Sequence, residues 1–437
     1  MIFEDPKTLI EEEIIQLKEE GYSTSDLQDS YEWFLIEHGQ ITWTDAKHFF
    51  YEYENDSLEK QTNFAYFEPS DLETILKESN LSGYNVAPLK MNDDLLFDKI
   101  YGAFLGRASG CILGKPVEGW KRSEILSYLS NAGEQKLSFY FPKQFYPKSD
   151  NRFDGCFRED IKMAVRDDDL DYPIINLKVL ENYGYDFSTA NVGKIWLENL
   201  PFGAVYTAER AAYRNLIMSI QPPKTATFMN PYREWIGAQI RGDIFGWISP
   251  GNPSKASQLA YKDARLSHVK NGIYGEMFIS ALLAHAYIYK DPIQLVLNSL
   301  KYIPQKSRLY EAIMSTVDIY SKGIKFEDAW HIISSKYNYN WIHTINNACF
   351  VVLSLLYGAG DFERSICYAV ECGSDTDCNG ATVGSIVGLM KGAKDLPTNW
   401  IKPLNDTLQS FVPGFNIIRI SDLARRIVDL AKNNSIS

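Results

Sequence analysis

The stretch whose reading decides the fold is LLFDKIYGAFLGRASGCILG, Leu95–Gly114. Ile100, Phe104 and Ala108 fall at helical spacing on one face. Gly102, Gly106, Gly110 and Gly114 recur every fourth residue. A glycine stripe has no side chains to hold a neighbour off, so the spacing predicts a helix that another helix or a loop approaches closely. Charged residues interrupt the stretch, which excludes it as a membrane span.

Outward from this helix the same periodicity dominates. YPIINLKVLENYG, NGIYGEMFISALLAHAYIY and NNACFVVLSLLYGAG read as buried or half-buried helices, and RISDLARRIVDLAKN as an amphipathic one near the C-terminus. Strand-like alternation is rare; QKLSFYF is the best candidate. The expected fold is therefore all-α, with long polar, aspartate-rich loops where function collects. Residues 1–95 have a different texture, aromatic and acidic without Pro/Gly clusters. DPKTLIEEEIIQLKEEGY reads as a helix stopped at Gly21, TSDLQDSYEWFLIEHGQ as a second helix, and TWTDAKHFFYEYEND as a third. We read this segment as a small helical module, NLSGYNVAPLKMND as the junction, and 96–437 as the main domain.

At 437 residues and 45% hydrophobic, the chain can bury a large core. Its formal charge of −12 argues against a general nucleic-acid surface. The start lacks the basic-then-apolar order of a signal peptide, and no apolar run is long enough to span a bilayer. The six cysteines form no C-x-x-C pair and read as buried free thiols, which points to the cytoplasm. Oligomeric state is not legible.

Two loops concentrate carboxylates just before an apolar helix. One carries Asp167, Asp168, Asp169 and Asp171; the other carries Asp375 and Asp377 in VECGSDTDCNGATVGSIVGLMKG. A helix N-terminus is capped by one acceptor, so this many acids exceed what capping requires. Like charges this close repel unless a cation lies between them, and hard divalent ions such as Mg²⁺ prefer oxygen ligands. A solvated acidic surface that also caps helices is the competing reading. A further acid, Glu118, is presented from a turn pinned by Pro116 and Gly119, with Arg107 and Lys115 as nearby positive partners. His268 follows Ser267 at a loop-to-helix entry, where it could order a loop, bind a phosphate or contact a ligand; a satisfied structural histidine is the competing reading. Tyr232, Trp235, Phe245 and Trp247 could stack on a base or sugar, or form core between helices. No zinc-protease or serine-hydrolase motif stands at a usable place.

Taken in order, GAFLGRASGCILGKPVEG, RDDDLDY, LSHVKNGIYGE, GSDTDCNGATVGSIVG and LPTNW resemble the motifs of the ADP-ribosylglycohydrolase family over roughly residues 96–400. The resemblance implies an all-α domain with two Mg²⁺ or Mn²⁺ ions at its centre, which cleaves the glycosidic bond at C1″ of ADP-ribose attached to an acceptor. It implies Asp167, Asp168, Asp169, Asp375 and Asp377 as metal ligands. It further implies Glu118, Asp168 and Asp377 as catalytic groups, and Ser267, His268, Gly373 and Ser374 as substrate contacts. The sequence departs from the family pattern in four places: Asp167 and Leu170 stand for threonines, Cys378 for a hydroxyl, and Arg107 for an aspartate. The expected activity is hydrolysis of an ADP-ribosyl or other ribosyl or glycosyl substrate. A protein that binds such a ligand without cleaving it and a metal-dependent phosphoester hydrolase are the alternatives.

Overall fold

The computed structural model describes residues 5–55, 58–81, 89, 91–147 and 151–434. Among these it contains twenty α-helices and a single two-stranded antiparallel sheet, Thr407–Gln409 with Ile417–Arg419. The junction read at residues 80–93 falls largely outside the described residues.

The glycine-striped helix runs Asp93–Gly114 and starts at Asn92, whose side chain accepts from the Leu95 amide at 2.8 Å. Its partner is the helix Thr376–Lys391, which carries its own stripe: Gly380, Gly384 and Gly388. The two run antiparallel, with Gly102 on Gly388, Gly106 on Gly384, Gly110 on Gly380 and Gly114 on Thr376. A Cβ at any of these glycines would overlap the facing backbone. Close packing of this kind makes the pair a rigid spine. It also places the end of the first helix, at Gly114, against the start of the second, at Thr376. The Thr376 hydroxyl donates to the Gly114 carbonyl at 2.8 Å.

The predicted helices form as Lys270–Ala286, Thr344–Gly358, Asp168–Tyr183 and Ile420–Asn434. Three more form as Pro6–Glu19, Ser25–His38 and Trp43–Asn55 at the N-terminus. The stretch QKLSFYF is not a strand. Among the described residues no neighbouring strand offers it a ladder; it is an apolar strap that buries Leu137, Tyr140 and Phe141. Its polar groups are met from helices: the Leu137 amide donates to Glu371 at 2.6 Å and the Tyr140 hydroxyl to the Trp400 carbonyl at 2.8 Å. The alternation lies in its residue types and not in its burial: the adjacent Tyr140 and Phe141 are both buried, as a strap laid over helices allows and a paired strand does not.

One large hydrophobic cluster draws on residues 75–431, beginning with Ile75 from the short helix Leu72–Glu78. A second gathers Leu9, Ile10, Phe34, Phe49 and Phe50 around Met229, Tyr232 and Trp235. Tyr232 and Trp235 therefore seat the N-terminal helices, while Phe245 and Trp247 lie in the main core. Between the clusters lies a buried ionic network. Arg308 donates to Glu68 at 2.8 Å and to Glu234 at 2.7 Å, and Arg233 to Glu13 at 2.7 Å and Glu20 at 2.8 Å. Lys270 pairs with Glu20. Each buried charge meets an opposite one, as desolvation demands.

Candidate active site

The acidic turns meet where the glycine-paired helices end. Asp167 is the N-cap of the helix Asp168–Tyr183 and accepts from the Asp169 amide at 3.0 Å. Asp375 is the N-cap of Thr376–Lys391 and Asp377 lies in its first turn. Two helix N-termini thus converge, and their dipoles favour negative charge between them. Carboxylate oxygens of Asp169 and Asp377 lie within 4.8 Å of each other, as do those of Glu118, Asp375 and Asp377 and those of Asp167 and Asp169. Asp168 is half-buried at the same helix start.

Glu118 reaches this centre through backbone pairing. The Gly119 amide donates to the Ser374 carbonyl at 2.9 Å, and the Ser374 amide to the Trp120 carbonyl at 3.0 Å. Gly373 has φ +76°, and a Cβ there would sit 2.7 Å from the Trp120 carbonyl oxygen. Only glycine allows both the turn and the approach. Gly373 and Ser374, read as substrate contacts, hold the Glu118 turn against Asp375. Asn347 supports the far side: its Oδ1 accepts from the Asn379 side chain at 2.8 Å and the Asp375 amide at 3.4 Å. Asn347 was not singled out from sequence, because one asparagine inside the apolar NNACFVVLSLL run carries no local signal of a partner further along the chain.

Arg107 and Lys115 do not turn to Glu118. Arg107 is fully buried; it donates from Nη2 to Asp169 Oδ1 at 2.9 Å and lies 3.0 Å from Asp243. Its Nε donates to the Asp169 backbone carbonyl at 2.7 Å. That carbonyl is available because the residue four further on is Pro173, which has no amide hydrogen to return. Lys115 donates to the Arg166 carbonyl at 2.8 Å and pairs with Asp167. Arg166 pairs with Asp171 at 2.8 Å.

The electrostatics follow from this wiring. Burial pushes Asp167 up, but Lys115 overrides it and holds the carboxyl below its ordinary range. Burial and then Asp167 push Asp168 well up. Asp169 goes well up through burial, against Arg107. Burial and then Asp377 raise Asp375 well above the usual range, and burial with Asp167 raises Asp377 to about 6. Glu118 lies exposed at the rim, yet the charge of Asp377 raises it most. Buried oxygens of Asp169 (Oδ2), Asp375 (Oδ1) and Asp377 (Oδ1) have no hydrogen-bond partner. Clustered acids with orphaned oxygens are the donor set a hard divalent cation takes.

Ser267 and His268 make their contacts elsewhere. Both are buried; the Ser267 hydroxyl accepts from Arg241 at 3.1 Å and lies 2.8 Å from His268 Nδ1. His268 lines a cleft of about 710 Å³ with Glu13, Glu20, Arg233 and Lys270.

The sequence profile described as ADP-ribosylglycohydrolase matches residues 91–435. The chain belongs to the ADP-ribosylglycohydrolase family. No curated protein sequence matches it. Among solved structures, one titled "ADP-ribosylglycohydrolase-related protein complex" is similar in fold, with a TM-score of 0.50 and 18% identity over 77% of this chain and 99% of that one. The ADP-ribosylglycohydrolase profile begins at 91, so the N-terminal helices lie outside it. As a member of a glycoside hydrolase family, the protein is an all-α enzyme. Among the described residues no helix is long and apolar enough to cross a membrane.

Proposed function

We propose that this protein hydrolyses the C1″ glycosidic bond of an ADP-ribosylated or related ribosyl or glycosyl substrate, and that it depends on Mg²⁺ or Mn²⁺. The observation that carries this reading is the convergence of Glu118, Asp169, Asp375 and Asp377 with buried oxygens left without partners. A bound divalent ion would supply orientation of vicinal sugar hydroxyls and acidification of a water.

The chain's own groups do the rest. Cleavage builds oxocarbenium-like positive charge at C1″, and the negative field of the aspartates opposes its cost. Glu118 stands at the exposed edge with its carboxyl raised by Asp377, so it can hold a proton for the leaving group or take one from the incoming water. Gly373 and Ser374 keep Glu118 in register with Asp375 and Asp377. Asp168, half-buried beside them, faces the same charges and completes the acidic wall. The buried, free cysteines support a reducing compartment, and we assign the protein to the cytoplasm.

The test is a hydrolysis panel of ADP-ribosyl-arginine, ADP-ribosyl-serine and simple nucleosides, with and without Mg²⁺. Release of the free sugar moiety only with metal, lost in Asp377→Ala while the melting profile is kept, is the expected result. Binding without turnover across the panel would establish a ligand-binding protein instead. Inorganic phosphate as the product would establish a phosphoester hydrolase.

A further inference from the structure

The cations that the chain itself brings to the acidic centre are not spread evenly. Asp167 is satisfied on both oxygens: one accepts the Asp169 amide at 3.0 Å, the other takes Lys115. Lys115 has little freedom to leave. It caps the glycine-striped helix through its own amide to the Cys111 carbonyl, and its ammonium also donates to the Arg166 carbonyl at 2.8 Å. Pro116 and Val117, which follow, are buried. Asp169 receives Arg107 on Oδ1 and on its backbone carbonyl. Asp167 and Asp169 therefore carry their neutralising charges with them, and the half-buried Asp168 between them feels the opposing charge of Arg166.

The second does not. Asp375 and Asp377 are 3% and 4% exposed, and each has an oxygen with no hydrogen-bond partner. The carboxylates of Glu118, Asp375 and Asp377 lie within 4.8 Å of one another, and Asp169, which retains an unpartnered Oδ2, also has an oxygen within 4.8 Å of Asp377. The remaining donor on that side is the Cys378 thiol, a poor ligand for a hard ion. The buried oxygens without a partner, on Asp169, Asp375 and Asp377, are thus concentrated at one end of the cluster, within the reach of one ion.

Building on the metal-dependent reading above, we propose that the Lys115 ammonium, held on Asp167, takes the place of a second metal ion, so that this centre binds a single divalent cation on Asp375 and Asp377, with Glu118 beside it. A lysine is a compact point charge able to neutralise one carboxylate but not to acidify a water. Any water activation then belongs to the Glu118–Asp375–Asp377 end, and Asp167 is a fixed structural anion.

Mn²⁺ binding to the full chain tests this by titration calorimetry and electron paramagnetic resonance, independently of turnover. The expected result is one ion per chain with the six-line spectrum of an isolated Mn²⁺, and a second ion taken up by Lys115→Met. Asp167→Asn, which preserves the helix cap, keeps the one ion, whereas Asp377→Asn loses it. Two spin-coupled ions in the unaltered protein would overturn the proposal while leaving metal dependence standing. No Mn²⁺ uptake at millimolar concentration would overturn both. Loss of the ion in Asp167→Asn, or a stoichiometry unmoved by Lys115→Met, would show that Lys115 does not hold an ion's place. Should Lys115→Met fail to fold, the wild-type stoichiometry and Asp167→Asn decide the question.

Discussion

Gly110 and Gly380 lie back to back, each so near the other's carbonyl that neither position has room for a Cβ. Everything at the acidic centre depends on this contact, because it sets the distance between the helix that ends at Lys115 and the one that begins at Asp375.

Gly380→Ala should therefore destabilise the protein by about 1–3 kcal/mol or more, since backbone and not a flexible side chain must give way. Gly203→Ala is the control: nothing lies within 4 Å of a Cβ there, and the change should stay within about 0.5 kcal/mol. Denaturant melts of the two variants compare them directly; equal midpoints would show that the close approach is not required.

Glu118 is held in place by a turn, so disturbing the turn should act on catalysis before stability. Gly373→Ala forces a Cβ to 2.7 Å from the Trp120 carbonyl at a positive φ. We expect a fall in kcat of about 100-fold or more from misplacement, with a melting temperature only a few degrees lower. Glu118→Gln should lower kcat by about 100-fold or more as well, with no change in melting. Unimpaired turnover in Glu118→Gln would remove this residue from the chemistry.

The segment that follows the N-terminal helices is tied to the rest of the protein through Arg308, which pairs with Glu68 and Glu234. Arg308→Met leaves Glu68 and Glu234 buried without their guanidinium and should cost about 3–5 kcal/mol. The loss is local to this seam, so limited proteolysis should cut within residues 1–90 well before the main domain. Even digestion along the chain would argue against an interface held by this arginine.

The same seam predicts a pH dependence. Burial, with Glu234 next, raises Glu19 to about 8, against the opposing charge of Arg308. A carboxyl whose folded pKa lies above its unfolded value binds more protons when folded, so its contribution to stability falls as pH rises from about 4.5 to about 8. His343, 3.7 Å away, is held neutral by burial, at about 3, and offers no charge in compensation. Glu19→Gln should thus raise the melting temperature at pH 9 and leave it unchanged at pH 4. Parallel curves for variant and parent across this range would contradict the assignment.

Much of the molecule was legible before any coordinates. Helical periodicity is written within a few residues along the chain, so the elements over 6–55, 168–183, 270–286, 344–358 and 420–434 could be read directly. The glycine stripe announced a close neighbour, and the order of the acidic motifs announced the family. QKLSFYF was misread because alternating residue types suggest a strand, whereas the folded stretch buries the neighbours Tyr140 and Phe141 together as a strap across helices.

What the amino-acid order determined by itself was the helical class, the stripe at Gly102–Gly114 and two acidic turns at helix starts. What only the tertiary structure decided was who neutralises whom. Arg107 and Lys115 stand close to Glu118 in sequence, yet Arg107 serves Asp169 and Asp243, and Lys115 serves Asp167. The reason is that ion pairing depends on burial and on a separation of a few ångströms between groups far apart along the chain, and neither quantity exists until the helices have packed.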